Sequence, residues 1–444
     1  MEQSGRSGGS SDVNHDLGLR TWLPLTGALL TIAVIGAGCS SDRGASSPAV
    51  VDARRDAPPS AVPATAQASW LDLLEQSPSV RAARRRLSAA ESRIRLAGVL
   101  PDPMVSASYM TVPGTMPMDS LAVEVEQGFP RWGERDAERD QALASIAMAR
   151  AVYAAARGRT AATLQAALVE RRAANALAKL NREIAQRART LADLLTRSAV
   201  AVGKASVREP LSLESRAAEA ELMAAQESRM AADAAGMAAA TVGLPADAEL
   251  PDLPLPDLAL VAVGQAPEIA MARARMAMAA ADERMARARG RPMVTVFGRW
   301  QQEGEEDRDA WEGGLRVSIP LWRTAYAGGV AAADLDRSAA QSDAAGALRD
   351  AEELLARTKR AIDQAARTRR WAEATSSRLT HELEALVAES ASGMAGATAM
   401  LFDRFDELAQ AQRADITAAA DADRARAGLW NLTPPPLIDT GIRP

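Results

Sequence analysis

The residues that most enzymes use for chemistry are scarce in this sequence. The 444-residue chain has one cysteine, Cys39, and two histidines, of which His381 stands beside Glu382 in sequence typical of a helix. A solvent-exposed helical histidine fits this setting better than a metal ligand. No glycine-rich phosphate-binding loop is present in the sequence. We therefore expect no catalytic centre, no cofactor and no resident metal.

Cys39 is a candidate for lipid attachment. It follows an apolar run from Leu23 to Ile35 and the small residues Gly36-Ala37-Gly38. A short apolar run followed by small residues is typical of an export signal and its cleavage site. A site that ends in cysteine resembles that of bacterial lipoproteins. We expect residues 1–38 to be a lipoprotein signal peptide and Ser40 to direct the chain to the outer membrane. An uncleaved anchor is the alternative.

The composition favours long, closely packed helices. Alanine is abundant and only 3% of the residues are aromatic, so few bulky side chains are available for a broad globular core. The formal net charge is -5 and no sustained basic face appears, which argues against nucleic acid as a partner. Residues 39–65 are rich in Ser, Ala, Pro and Asp and are predicted to be a flexible tether.

Two short stretches of strand-like sequence interrupt the helical sequence. Each contains two segments in which apolar and polar residues alternate, the pattern of a strand with one apolar face. Each stretch ends in Pro-x-Trp, at Pro130 to Trp132 and at Pro320 to Trp322. The predicted strands are 104–110, 121–129, 293–300 and 311–319.

The two stretches belong to an internal repeat with an offset of 190 residues. Pro320 corresponds to Pro130, and Gly393 corresponds to Gly203. A repeat of this length determines the organisation of the whole chain. The predicted order is a first repeat at 66–245 with a helical hairpin at 134–242, a proline-rich linker at 246–265, a second repeat at 266–432 with a helical hairpin at 324–430, and a tail at 433–444.

Alternation gives each predicted strand one apolar and one polar face. This pattern fits an outer-membrane β-barrel with a wet lumen, and it also fits a soluble hairpin packed on a helix. The export signal and the aromatic residues clustered at the strand ends favour the membrane. The residues expected to face the lumen are Glu124, Glu126, Arg299, Glu312 and Arg316.

Four strands are too few to close a barrel. Open sheet edges are not tolerated in lipid, so several chains must each contribute their strands. Two chains would give eight strands and an interior filled by side chains, whereas three chains would give twelve strands and room for a pore.

The sequence resembles the TolC-type outer-membrane efflux proteins, and among them the lipoprotein branch that serves heavy-metal and multidrug pumps. The resemblance covers residues 66 to 432, in both repeats. It is carried by Pro101-Asp102-Pro103-Met104, Glu126-Gln127-Gly128-Phe129-Pro130, Gly133-Glu134-Arg135 and Gly203-Lys204-Ala205-Ser206.

The resemblance implies a mainly α fold with membrane β. Long antiparallel helical hairpins would form an α-barrel tunnel, and the four strands of each chain would join a twelve-stranded barrel in a homotrimer. It also implies docking to a periplasmic adaptor protein and an inner-membrane pump. The helical turns are the expected adaptor contacts, with Gly203, Lys204 and Ser206 in one turn and Gly393 and Gly396 in the other.

The resemblance also places a periplasmic gate just after Gly393. Counting from Gly393 puts Ala399 and Phe402 where the family often has Asp, and Asp403 and Asp406 follow. These two carboxylates share a helix face and would form two acidic rings in a trimer. An ordinary solvated helix is the alternative. An apolar constriction of Phe402 and Phe405 is another.

The function expected from these observations is a passive outer-membrane duct of a tripartite efflux system, with metal cations as one candidate cargo. The chain would be lipid-anchored in the outer membrane of a Gram-negative bacterium, with its helices in the periplasm. Two alternatives share the long helices: an outer-membrane component of type I protein secretion, and a periplasmic coiled-coil scaffold lipoprotein without a pore.

Overall fold

The computed structural model describes residues 70–112, 118–201, 208–251, 253–303, 308–391 and 397–433. The chain divides into two compact units, Met1–Ala66 and Gln67–Pro444, and every element below belongs to the second. The predicted signal peptide and Cys39 lie outside the described residues, as does the tether.

The first long helical hairpin consists of α3, Glu134–Ala201, and α4, Arg208–Val242. α3 contains no proline, so nothing interrupts its backbone hydrogen bonds for 68 residues, or about 100 Å. Arg189 pairs with Glu221 at 2.6 Å, and Arg182 donates to Ser228 at 2.8 Å. From the first of these contacts to the second, the residue number decreases on α3 and increases on α4. The two helices are therefore antiparallel.

The second hairpin repeats this arrangement with α6, Arg323–Ala391, and α7, Ala397–Ala427. Arg369 on α6 pairs with Asp415 at 2.9 Å, and Glu382, further along α6, pairs with Arg404 at 3.3 Å. The order of these pairs again requires antiparallel helices. The two hairpins expected from the sequence are confirmed.

Three shorter helices precede the strands of the two repeats. They are α1, Trp70–Gln76, α2, Pro78–Arg93, and α5, Pro267–Arg289. Both α2 and α5 begin with proline, whose missing N–H has no partner to lose in the first turn. A 3-10 turn, Ile94–Leu96, extends α2; the chain leaves helical geometry at Ala97, which is extended, and Gly98 follows with φ of 67°.

The described strands are β1, Met104–Val112, β2, Met118–Phe129, β3, Met293–Glu303, and β4, Arg308–Ser318. They form one antiparallel sheet in the order β1-β2-β3-β4. β2 pairs with β3, so the sheet joins the first repeat to the second. β1 and β4 are the edge strands, and no described strand of this chain pairs with their outer sides.

The buried side chains lie between the helices. One cluster joins both hairpins and includes Ala188 of α3, Leu213 of α4, Leu379 of α6 and Leu401 of α7. Many buried positions are alanines, which let helix backbones approach closely. No described helix is both long and apolar enough to cross a membrane.

We expect Gly158→Ala to destabilise the protein, because a β-carbon at Gly158 in α3 would overlap the carbonyl oxygen of Trp430. The expected loss is about 1–3 kcal/mol of unfolding free energy, the usual cost of overpacking. In the matched control, Gly236→Ala, the new β-carbon would lie 3.9 Å from that of Ala246, an ordinary contact. The control should raise stability by roughly 0.5–1 kcal/mol. Urea unfolding followed by circular dichroism measures both. Equal effects would contradict the close packing at Gly158.

Candidate functional site

The strand register brings the five predicted lumen residues to one face of the sheet. Directly opposed residues of antiparallel strands point to the same face. Glu124 lies opposite Arg299, which lies opposite Glu312. Glu126 and Arg316 are an even number of residues away on β2 and β4, so they share that face. We refer to it below as the polar face.

Arg316 connects strands on the polar face. Its guanidinium lies 3.1 Å from Glu126 and 3.8 Å from Glu124. Because the Arg316 side chain is 57% exposed, each pair contributes less than about 1 kcal/mol. The main consequence of these pairs is that positive and negative charges lie side by side along the polar face.

Phe297 is a polar-face residue that the alternation pattern did not explain. It lies opposite Gly314, where an added β-carbon would come within 2.9 Å of its ring. The guanidinium carbon of Arg316 lies 5.2 Å from the ring centroid. The missing side chain at Gly314 therefore gives the ring room to lie against the neighbouring strand. The paired glycines Gly313-Gly314 within a strand pattern were the available sequence signal.

The opposite face of the sheet is apolar and open. In water, a contiguous exposed apolar surface of this kind is an aggregation liability. The strands have 9 to 12 residues, close to the 9–11 that a tilted strand needs to cross a bilayer. Its residues, each at least 39% exposed, include Val105, Tyr109, Leu121, Val125, Phe129, Val294, Val296, Trp311, Leu315 and Val317.

Tryptophans mark two levels of the sheet. Trp132 and Trp322, 85% and 78% exposed, follow β2 and β4 at the end where the helices begin. Trp300 and Trp311 lie directly opposite each other towards the other end of β3 and β4. Two aromatic levels with an apolar band between them are typical of a protein that meets both interfaces of a membrane.

The predicted gate residues lie at the start of α7, where the structure separates them. Asp406 pairs with Arg216 of α4 at 2.6 Å. Arg216 also donates to the carbonyl oxygen of Phe402 and lies over its ring. Asp403 is exposed and has no ion pair in the described part of the chain. Within the described residues the two carboxylates therefore differ, because Asp406 forms an ion pair and Asp403 does not.

The predicted apolar constriction of Phe402 and Phe405 is wrong for Phe405. Its side chain is only 5% exposed and packs in the cluster that joins the two hairpins. The reason is helical spacing, because Leu401, Phe405 and Leu408 repeat at intervals of four and three and point to one side. Phe402 is half-buried against the same cluster.

Several predicted site residues lie outside the described residues: Cys39, Gly203, Lys204, Ser206, Gly393 and Gly396. His381 is confirmed as a solvent-exposed helical residue, with its side chain 80% exposed. Within the described ranges, no three His, Cys, Asp or Glu side chains come together in a way that could hold a metal ion.

A buried carboxylate connects α5 to α6 just below the sheet. The Glu283 side chain is 4% exposed, pairs with Arg287 on its own helix, and lies 2.9 Å from Arg337 on α6. The hydrogen bond from Arg337 is the main reason that the pKa of Glu283 lies below its ordinary value, and the charge of Arg287 adds to the effect. The carboxylate thus remains charged where burial alone would favour its neutral form.

A second buried group holds α1 against α3. The hydroxyl of Tyr153 donates to both carboxylate oxygens of Glu75, at 2.7 and 2.8 Å. The fully buried guanidinium of Arg157 lies 2.9 Å from the same carboxylate. Burial and the hydrogen bond to Glu75 raise the pKa of Tyr153 to about 12, so the phenol stays protonated and keeps donating.

The four-stranded sheet and the two long antiparallel helical hairpins have the fold of several solved bacterial outer membrane proteins. VceC, an outer membrane protein of Vibrio cholerae, matches with a TM-score of 0.70 at 21% identity, over 81% of this chain and 95% of VceC. The open MtrE outer membrane channel of Neisseria gonorrhoeae matches at 0.66 and 18%, over 81% and 86%. The CmeC outer membrane channel of Campylobacter jejuni matches at 0.60 and 13%, over 80% and 84%.

These similarities establish the fold. They confirm the predicted fold class, and they confirm at the level of the fold the resemblance to TolC-type proteins. Both MtrE and CmeC are described as outer membrane channels. No protein-family model and no curated protein sequence matches the chain.

We expect Glu283→Gln to destabilise the protein at neutral pH, because it leaves two arginines beside a neutral group. Since the pKa of Glu283 is lower in the folded protein, its stabilising effect is present above the ordinary value of 4.5 and is lost as the pH falls through the folded pKa. The gap between the unfolding midpoints of wild type and variant should therefore close in acid.

The control is Glu353→Gln, which breaks an exposed pair with Arg357 on α6. Such a pair contributes less than about 1 kcal/mol, so the control should match the wild type. Thermal unfolding between pH 3 and 7 measures the effect. A gap for Glu283→Gln that does not change with pH would contradict the charged state of the carboxylate.

Proposed function

We propose that the chain is the outer-membrane channel of a tripartite efflux system and acts as a passive duct. One observation supports this most strongly: the four-stranded sheet has an exposed apolar face, an opposite face that carries charged side chains such as Glu124 and Arg299, and two edges that no described strand pairs. Lipid suits the first face and water the second. Open edges require further strands.

We propose a homotrimer. Three copies give twelve strands, which leave an open lumen. Two copies would give eight strands, and side chains would fill the interior of such a barrel. In that arrangement the polar face lines the lumen and α3, α4, α6 and α7 continue it as a helical tunnel. The neutralised pair of Arg216 and Asp406 would then lie near the narrow end, with Asp403 as its free charge.

The proposed duct implies two protein partners and a further attachment to the membrane. A periplasmic adaptor protein would contact the two helical turns, around Gly203 and around Gly393, and an inner-membrane pump would supply the energy. Lipid on Cys39 would add a second membrane attachment. Metal cations are one candidate cargo.

We expect the purified protein to conduct ions across planar lipid bilayers and to cross-link as a trimer. Leu315→Arg places a charge on the apolar face and should abolish conductance, because it costs roughly 2–4 kcal/mol within the bilayer. The matched variant Ser106→Arg lies on the polar face, opposite Glu124, and should insert and conduct. A monomer without conductance would favour the periplasmic scaffold and contradict the proposal.

We expect two charge changes near the start of α7 to shift ion selectivity in opposite directions. Asp403→Asn removes an unpaired negative charge and should lower the preference for cations. Arg216→Gln exposes the charge of Asp406 and should raise it. Reversal potentials in a salt gradient measure both. If neither variant changes the reversal potential, these carboxylates do not face the ion pathway.

A further inference from the structure

Two adjoining cavities lie where the sheet gives way to the helices. One has a volume of about 160 Å³ and the other about 320 Å³. Both are lined by Tyr326 and by Ile319-Pro320, which follow β4. We call the two together the junction pocket. Its basic side chains are Arg131, Arg291 and Arg323.

The junction pocket carries excess positive charge. Arg131 has a carboxylate neighbour, Glu134, at 3.6 Å. Arg291 donates to the carbonyl oxygen of Trp132 at 2.8 Å, which orients its guanidinium and leaves other N–H groups available. Arg291 and Arg323 have no carboxylate partner in the part of the chain that the structure describes. The pocket therefore favours an anion.

The surroundings of the junction pocket are apolar on the side of the sheet. Trp132, Leu321 and Trp322 are 85%, 74% and 78% exposed. They lie at the end of the apolar face that is nearest the helices. In the proposed membrane orientation, this is the level at which tryptophans contact lipid headgroups. An anion held at this level would have its apolar part beside these side chains and its charge beside the arginines.

We propose that the junction pocket binds an anionic phospholipid by its phosphodiester headgroup, an inference that rests on the proposed function. Arg291 and Arg323 supply charge-assisted hydrogen bonds to the phosphate, a geometry for which guanidinium groups are suited. Tyr326 lines both cavities and Ser318 lines the smaller one, and their hydroxyls would provide further donors. Acyl chains then run along Leu321 and Trp322 towards the apolar face.

A second copy of the chain is the competing occupant. β1 begins just after Asp102, and pairing of β1 with β4 of another copy would bring that carboxylate to the end of β4. A phosphodiester carries the same single negative charge as that carboxylate, so charge alone does not separate the two occupants. A lipid also accounts for the exposed Trp132 and Trp322 beside the pocket, which a carboxylate does not.

The test measures lipid binding to the full-length protein in neutral detergent by native mass spectrometry. The probes are dioleoyl-phosphatidylglycerol and, for comparison, dioleoyl-phosphatidylcholine. The variant is Arg291→Ala with Arg323→Ala. The control is Arg187→Ala with Arg360→Ala, which removes the same charge at exposed positions on α3 and α6, roughly 55 Å or more beyond the start of each helix.

The wild type should bind phosphatidylglycerol more tightly than phosphatidylcholine. The junction variant should lose about 25-fold in affinity for phosphatidylglycerol, since each cation near an anionic surface contributes roughly fivefold. The control should match the wild type, and inorganic phosphate should not displace the lipid. Displacement of the lipid by inorganic phosphate would show that the pocket binds free phosphate, and it would overturn the proposal of a lipid site.

Equal affinity of wild type and junction variant for phosphatidylglycerol would overturn the proposal. The proposal would also be overturned if the junction variant and Asp102→Asn both lost the oligomer while both kept the wild-type preference for phosphatidylglycerol. A second copy of the chain would then be the occupant of the pocket. Conductance measured on the same preparations tests the proposed duct separately from lipid binding at the junction pocket. A conducting protein without lipid preference refutes only the junction pocket, whereas lipid preference without conductance refutes only the duct.

Discussion

Backbone hydrogen bonding at the two edges of the sheet is the constraint on which the rest of the structure depends. β1 and β4 each carry a row of N–H and C=O groups that no described strand of this chain pairs. In hydrocarbon, each unpaired group costs several kcal/mol. The same strands carry an apolar face that water does not tolerate. The described sheet therefore fits neither lipid nor water by itself, and in the proposed oligomer strands from further copies would pair both edges.

The helices meet a different requirement, which is to pack closely against one another with few large side chains. Alanines such as Ala188, Ala238 and Ala239 are completely buried and let neighbouring helices approach closely. The exposed ion pairs between helices contribute little energy but agree with one antiparallel register. The buried groups around Glu283 and Glu75 hold the short helices against the long ones, and so connect the sheet to the helical hairpins.

Much of the fold follows from local patterns in the sequence. Alternation identified the four strands and the polar face, and the absence of proline indicated the long helices. Strand ends extended beyond the predicted bounds, because β1 and β2 continue as a ladder to Val112 and Met118, where pairing replaces alternation. Contacts between distant residues were not predictable. Arg216 reaches Asp406, and Phe405 is buried by helices from both repeats, and nothing in the sequence near position 400 shows this.

The two repeats also meet at equivalent positions. Glu126 and Arg316 are 190 residues apart, the offset of the repeat, and so are Arg216 and Asp406, yet each couple forms an ion pair. Were the halves identical, both contacts would set like charges against each other. The halves have therefore become complementary, as in a heterodimer whose subunits share one backbone. A chain built from two copies of either half would replace both of these ion pairs with repulsive contacts.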